Sequence, residues 1–249
     1  MSYAILRFEK RKGGPASAIE KHHERQKEHY GSNPDIDRER TELNHHLIQP
    51  RLQYYGEIQT RIEKAQRENP QYKVRKDSVK FIDTIVTATP EYLAKLPPEE
   101  VRRYFEHALD FLKAEVGEEN IFSAVVHMDE RNPHMHLCFV PLTRDKRLSA
   151  KEIMDGRDKL VEWQDKFHDH MAAQFPGLDR GQAAAVTKRK HIPTWLYKQA
   201  HRLTKEMTRI QKDIEKIGTF NANKQKKSPE STSEMVSAGQ CLRDQAASL

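Results

Sequence analysis

Two apolar-rich segments, Ile121 to His127 (IFSAVVH) and His134 to Pro141 (HMHLCFVP), are separated only by the polar stretch Met128 to Pro133. Both read as strands, and so short a connection makes them a hairpin. Side chains alternate across a strand, so residues two apart share a face. In the second strand Met135, Leu137 and Phe139 form an apolar face, which leaves His134 and His136 on the other. In the first strand Phe122, Ala124 and Val126 share one face, and Ile121, Ser123, Val125 and His127 the other. With the apolar faces on the core, His127, His134 and His136 project together from the opposite face, near the hairpin tip. Three imidazoles from adjacent strands make a facial metal site with open positions.

The H-x-H spacing alone carries little. With 13 His in 249 residues, roughly 0.7 such pairs arise by chance, and the spacing informs only once the element is known. A second pair, His168 and His170, lies in an expected helix, where residues two apart point in different directions. Asp129 and Glu130 occupy the hairpin turn, where an acid can hold a ligand His, reach a metal through water, or merely face solvent. Cys138 shares the histidine face and reads as a small buried hydrophobe. There is no HExxH, Cys-x-x-Cys or P-loop pattern, which argues against the usual metalloprotease, zinc deaminase and nucleotide hydrolase classes.

Around the hairpin, Tyr3 to Phe8 and Val79 to Thr87 read as strands, and Lys10 to Pro15 as a basic turn. Helices are expected over Ala16 to Tyr30, Gly56 to Glu68, from Pro97 with first-turn acids, and from the capping-box pair Ser149 and Glu152 to about Gln174. Arg38 to His46 is polar and gives no clear signal. The expected fold class is α+β: an antiparallel sheet core with flanking helices, plus a C-terminal basic helix.

That last helix is expected over Trp195 to Ile217. Leu196, Leu203, Ile210 and Ile217 recur every seven residues, with Ala200, Met207 and Ile214 between them. The stripe suits either a short coiled coil or packing on the chain's own domain. Lys188 to Ser228 holds 12 basic residues against Glu206, Asp213 and Glu215, while the whole chain is only +6. A basic appendage on a near-neutral body points to a polyanionic partner, a solvated helix being the alternative. From Lys224 the composition is that of a disordered tail. The organisation expected is residues 1–190 as the main domain, 191–223 as a basic amphipathic helix and 224–249 as tail. Two distant cysteines exclude a disulfide framework, and no segment suits a signal peptide or a membrane span. A cytoplasmic protein with no membrane insertion is expected.

An opening Met1-Ser2-Tyr3, Lys21-His22-His23-Glu24-Arg25 on the first helix, His127 followed by Pro133-His134-Met135-His136, and Asp179-Arg180-Gly181 together resemble the Mob/Pre (MobV-type) plasmid mobilisation relaxases of the HUH endonuclease superfamily, over roughly residues 1 to 195. The resemblance implies a relaxase that nicks one strand at a plasmid origin of transfer, is joined covalently to the 5′ phosphate, and later reseals the ends. It implies Mn2+ or Mg2+ on His127, His134 and His136, with Glu130 as the acid between them. It puts a histidine nucleophile at His22 and an arginine near the scissile phosphate at Arg25. Arg7, Lys10, Lys12, Arg25, Lys188, Arg189 and Lys190 are the residues expected on DNA. The implied partners are the single-stranded nic region with its adjacent hairpin or duplex and a conjugative coupling protein, in a bacterial cytoplasm; self-association through the 196–217 helix is expected from its heptad stripe instead. The chain departs from the pattern at His45, where relatives carry a tyrosine, and in lacking their long coiled-coil C-terminal region.

Imidazole attacks only when neutral, and a metal and Arg25 nearby would keep it so. Tyr30, two turns beyond His22, and Tyr3 are the fallback nucleophiles. A Tyr nucleophile would indicate a replication initiator or transposase. A non-enzymatic DNA-binding regulator with a structural metal, and a phosphodiesterase that uses water, also remain open at this point.

Overall fold

The computed structural model describes residues 1–12, 16–28, 30, 33, 35–181 and 194–225. Strands β1 (Ala4–Arg11), β2 (His45–Ile48), β3 (Phe81–Ala88), β4 (Ile121–His127) and β5 (His134–Phe139) form one antiparallel sheet in the order β1-β3-β5-β4-β2. The helices are α1 (Ala16–His23), α2 (Tyr54–Glu68), α3 (Pro90–Leu93), α4 (Pro98–Val116), α5 (Ala150–Met154), α6 (Arg157–Gln174) and α7 (Thr194–Gln225). This is the α+β architecture expected. The chain divides into two compact units, Met1–Arg189 and Lys190–Leu249.

Alternation along the strands gives the sheet two different faces. Leu6, Ile82, Val86, Ala124, Val126, Met135 and Leu137 meet the apolar stripes of α4 (Tyr104, Phe105, Ala108, Leu112) and α6 (Trp163, Phe167, Met171). Each such fully buried aliphatic or aromatic side chain is worth about 1.5–3 kcal/mol. On the other face Ile19 of α1 and Tyr54, Ile58, Ile62 and Ala65 of α2 cover Phe81, Phe122 and Cys138. Toward the hairpin tip this second face is made of histidines, and the last turn of α1 lies over them.

The pairing of β4 with β5 slips between Ile121 and Ser123. An extra residue in one strand reverses the alternation beyond it. Ile121 therefore joins Ala124 and Val126 on the α4 side, and Phe122 joins the α2 side, the reverse of the strict alternation read from the sequence. From Ser123 to His127 the register holds, which is the part that aims His127.

Three other expectations are corrected, and one unassigned stretch is resolved. The first helix ends at His23 rather than Tyr30. The polar stretch at 38–46 contains a 3-10 turn (Arg38–Leu43) and the edge strand β2. The helix expected from Ser149 to Gln174 is two helices, broken at Gly156, whose φ of +86° is a conformation that favours glycine. The last helix reaches Gln225, beyond the expected 217 and into the expected tail, whose remaining residues, 226–249, lie outside those described. No helix among the described residues is long and apolar enough to cross a membrane.

Candidate active site

The histidine face of the hairpin is as the alternation requires. His127 and His134 are directly paired across β4 and β5, and His136 follows two residues on. The ring centroids lie 5.2 Å (His127–His134), 5.1 Å (His127–His136) and 5.0 Å (His134–His136) apart. An imidazole bound to a cation at about 2.1 Å has its centroid roughly 3.2 Å from the ion, so three rings on one cation have centroids about 5 Å apart.

Each ring has one nitrogen engaged and one left over. His127 Nε2 is 2.9 Å from the His23 carbonyl, His134 Nδ1 is 2.9 Å from the Asn132 carbonyl, and His136 Nδ1 is 3.4 Å from Asp83 Oδ1. Those acceptors select the tautomers in which His127 Nδ1, His134 Nε2 and His136 Nε2 keep lone pairs. His127 Nδ1 is buried with no hydrogen-bond partner. A buried acceptor left unmet is costly, and a bound cation removes that cost, so the donor set fits a divalent metal. Burial holds His127 and His136 well below the usual imidazole range, so both stay neutral. Among the described residues, candidate ligand atoms within 4.8 Å of one another fall into three sets rather than one triad: His127 with His134 and Glu130, His127 with His136 and His22, and, separately, His23 with Asp83 and Cys138.

His22 comes from the last turn of α1, over the same face. Its ring centroid is 5.7 Å from that of His127 and 5.4 Å from that of His136. Its pKa is lowered to about 4, by burial first and by the Arg25 charge second. Burial is thus the leading cause, ahead of the arginine charge expected from the sequence. His23, one residue on, is buried and packs at a tilt against His136 with centroids 4.1 Å apart. Neighbouring positions on a helix diverge by about 100°, and here one ring lines the site while the other backs it.

Helix α1 ends in a pair of hydrogen bonds, Gln26 N–H to Lys21 O (3.0 Å) and Arg25 N–H to His22 O (3.3 Å). This is a Schellman motif, whose left-handed position is usually glycine. Here it is Arg25, at φ +52°. The turn throws its guanidinium back at the site, where it donates to Asp129 (Nε 2.8 Å, Nη2 2.7 Å), to Glu130 (2.9 Å) and to the His22 carbonyl (3.0 Å). The left-handed conformation costs a non-glycine residue about 1–2 kcal/mol. Removing one partner of a buried pair costs about 3–5 kcal/mol. Arg25→Gly and Arg25→Ala should therefore both unfold at lower urea than wild type, with the glycine variant about 1 kcal/mol the more stable because it alone relieves the backbone. Equal midpoints for the two variants would remove the backbone argument.

Two supporting residues escaped the sequence reading. Asp83, buried in β3, holds His136, sits 3.6 Å from His23 Nε2, and has its carboxyl pushed up to about 6 by burial. Tyr54 O–H reaches Glu24 (3.0 Å) and Ser123 (2.9 Å) beneath His23. A lone acid inside the apolar run FIDTIVT was the available signal for Asp83. Cys138 is buried in the apolar cluster as expected, but it also has two polar neighbours: His23 Nδ1 at 3.8 Å and Asp83 Oδ1 at 4.0 Å.

The other candidates scatter. Tyr30 lies beside His22 (centroids 5.8 Å), but its hydroxyl is spent on the end of α1, donating to Lys21 O (2.9 Å) and accepting from Lys27 N–H (3.0 Å). The Tyr3 hydroxyl touches Met1 Sδ. Arg7 is exposed and pairs in register with Ile85. Lys10 lies in β1 rather than in a turn and is tied to Asp155 (2.9 Å), and Lys12 is exposed just after the strand. Lys188, Arg189 and Lys190 lie outside the described residues. The second H-x-H pair serves packing: His170 stacks on His107 (3.9 Å) between α6 and α4, and His168 contacts the Leu178 carbonyl.

The sequence profile of the plasmid recombination enzyme family, Mob/Pre, matches residues 1–199. A plasmid recombination enzyme type 3 of Staphylococcus aureus is 40% identical over 201 residues, which are 80% of this chain and 48% of the relative. A plasmid recombination enzyme of Bacillus thuringiensis is 35% identical over 84% of this chain and 45% of its own length. The chain thus spans about half the length of these curated relatives. The fold is similar to the MobM relaxase domain solved with Mn and plasmid pMV158 oriT DNA: TM-score 0.73 at 32% identity, covering 80% of this chain and 98% of that one.

Proposed function

The chain belongs to the plasmid recombination enzyme (Mob/Pre) family, and on that premise we propose that it is a mobilisation relaxase that nicks one strand at a plasmid origin of transfer and joins itself to the 5′ phosphate. The observation that carries this reading is a neutral, half-buried His22 facing a face of three imidazoles that each keep one free nitrogen. His127, His134 and His136 would hold Mn2+ or Mg2+, which when bound offsets charge on the non-bridging phosphate oxygens.

The rest falls to the chain's own side chains. A neutral His22 nitrogen attacks phosphorus, an N–P bond forms, and the bond to the 3′ oxygen breaks. The ring gives up the proton on its other nitrogen, and the departing 3′ oxygen takes one to become a hydroxyl. Arg25 supplies positive charge beside the phosphate. Glu130, held by Arg25 and 3.8 Å from His134 Nε2, would offer a carboxylate oxygen to the same cation, directly or through water. The phosphoramidate retains bond energy, so the 3′ hydroxyl can reverse the step.

Asp83 holds His136 from behind, and losing such a partner typically weakens metal binding about 10–100-fold. Asp83→Asn should weaken Mn2+ binding by that factor in calorimetric titration; an unchanged affinity would remove Asp83 from the centre.

DNA is the proposed partner of the exposed basic positions, with a conjugative coupling protein downstream of them. On α7 the residues Leu196, Leu203, Met207, Ile210, Ile214 and Ile217 are exposed. Arg202, Lys205, Arg209, Lys212 and Lys216 repeat at the same period on the opposite side. The apolar stripe suits a second copy of the helix and the basic stripe suits phosphate.

The test is incubation with Mn2+ and labelled single-stranded oligonucleotides, tiled across the replicon that carries the gene and including the pMV158 origin sequence. A covalent adduct that is acid-labile and alkali-stable is expected. An acid-stable adduct would move the nucleophile to a tyrosine. Binding with no cleavage would leave a DNA-binding regulator, and cleavage with no adduct a hydrolase.

A further inference from the structure

We infer that Asp129 is a positioning residue: it fixes the Arg25 guanidinium, and through it His22, against the histidine hairpin. The inference rests on the nicking reading above. Asp129 is completely buried, yet it belongs to none of the sets of candidate ligand atoms among the described residues. Both its oxygens are already occupied. Oδ2 accepts from Arg25 Nε (2.8 Å) and from Thr41 Oγ1 (3.1 Å), and Oδ1 accepts from Arg25 Nη2 (2.7 Å).

The carboxylate is also held from its own backbone. Asp37 N–H donates to the Asp129 carbonyl (2.7 Å), and Asn44 Oδ1 accepts from the N–H groups of Met128 (2.6 Å) and Asp129 (3.2 Å). Asp129 is thus set by the 37–44 segment and the hairpin turn, independently of Arg25. The guanidinium is what becomes oriented. Two parallel bonds to one carboxylate fix a planar group in direction as well as place. Its remaining donors then meet Glu130 Oε1 (2.9 Å) and the His22 carbonyl (3.0 Å), with Nη1 3.4 Å from His22 Nδ1. Without Asp129, Arg25 keeps one bond to Glu130 and one to the carbonyl at its own helix end, and nothing holds the Nε edge of the plane. A displacement of about 1 Å at a reacting group costs on the order of 100-fold in rate.

Asp129→Asn preserves size but loses the charge and one acceptor oxygen. In the full chain it should lower kcat for the origin oligonucleotide about 100-fold, and leave Mn2+ affinity within about threefold of wild type, short of the loss expected when a ligand's own partner is removed. The double variant Arg25→Ala/Asp129→Asn should be no slower than Arg25→Ala, because the two residues act as one unit. Free guanidinium ion should partly rescue Arg25→Ala but not the double variant. Wild-type kcat in Asp129→Asn, effects that multiply, or Mn2+ affinity falling in step with rate would each overturn the assignment.

Should Asp129→Asn fail to fold, Thr41→Val, which removes one bond to the carboxylate, and the guanidinium rescue of Arg25→Ala carry the same test. The pairing is also read without activity. The Arg25 Nε–H should give a slowly exchanging nitrogen–proton resonance in the wild-type protein; its absence overturns the inference even if strand nicking is found. Wild-type protein that shows the resonance but never nicks overturns the nicking reading instead.

Discussion

Replacing His22 by alanine is expected to abolish the covalent protein–DNA adduct while leaving Mn2+ affinity unchanged. The loss should reach roughly 10⁴-fold or more, the order found when a lone nucleophile is deleted. His22 is the one imidazole of the cluster that combines partial exposure with a lowered pKa and attachment to a helix rather than to the hairpin. Tyr30→Phe is the matched control. Its hydroxyl closes the end of α1, so its removal should cost stability through Lys21 and Lys27 and leave adduct chemistry in place. If His22→Ala still forms an adduct and Tyr30→Phe does not, the assignment is reversed. Should His22→Ala also lose Mn2+, the set that groups His22 with His127 and His136 is the true cation shell.

The second large effect is expected at the hairpin. His127→Ala and His136→Ala remove proposed ligands, so Mn2+ affinity should fall by more than the roughly 10–100-fold typical of losing a supporting partner. Nicking at low metal should fall with it and recover in part at millimolar Mn2+. The control is His168→Ala, the same spacing on a helix, where affinity should not move. Equal losses at positions 127 and 168, measured by titration calorimetry, would show that surface histidines rather than a built site take up the metal. Unchanged affinity in His127→Ala would break the argument from its unpartnered Nδ1.

Much of this centre was legible because a strand enforces period two. That rule put His127, His134 and His136 on one face, and it separated them from His168 and His170. It failed where the chain gains a residue, at Ile121 to Ser123, since nothing in the composition marks a bulge. Strand β2 was missed because short polar edge strands carry no alternation to read. The break at Asp155-Gly156 carried a turn signal, but the helix started at the capping box of Ser149 and Glu152 was run through it. Least legible was Arg25. An arginine in a left-handed turn has no local signature, and only the carboxylates of Asp129 and Glu130, remote in sequence, explain the conformation. Asp129 was read as a turn acid with several possible roles, and the one it has required a partner 104 positions away.

The sheet order has one more consequence. Strands β4 and β5, which carry the three imidazoles, each have a hydrogen-bonded neighbour on both sides. Helix α1, which carries His22, has only eight residues, too few to be stable alone. Within one domain, opening free energies range from near zero at loosely held segments to the global value at central strands. The centre is therefore expected to join two segments of unequal local stability, at the Arg25 ion pairs and the bond from His127 to the His23 carbonyl. A local opening at that seam would disarm the proposed strand cutting while the imidazole face stayed intact, and reclosing would restore it without refolding.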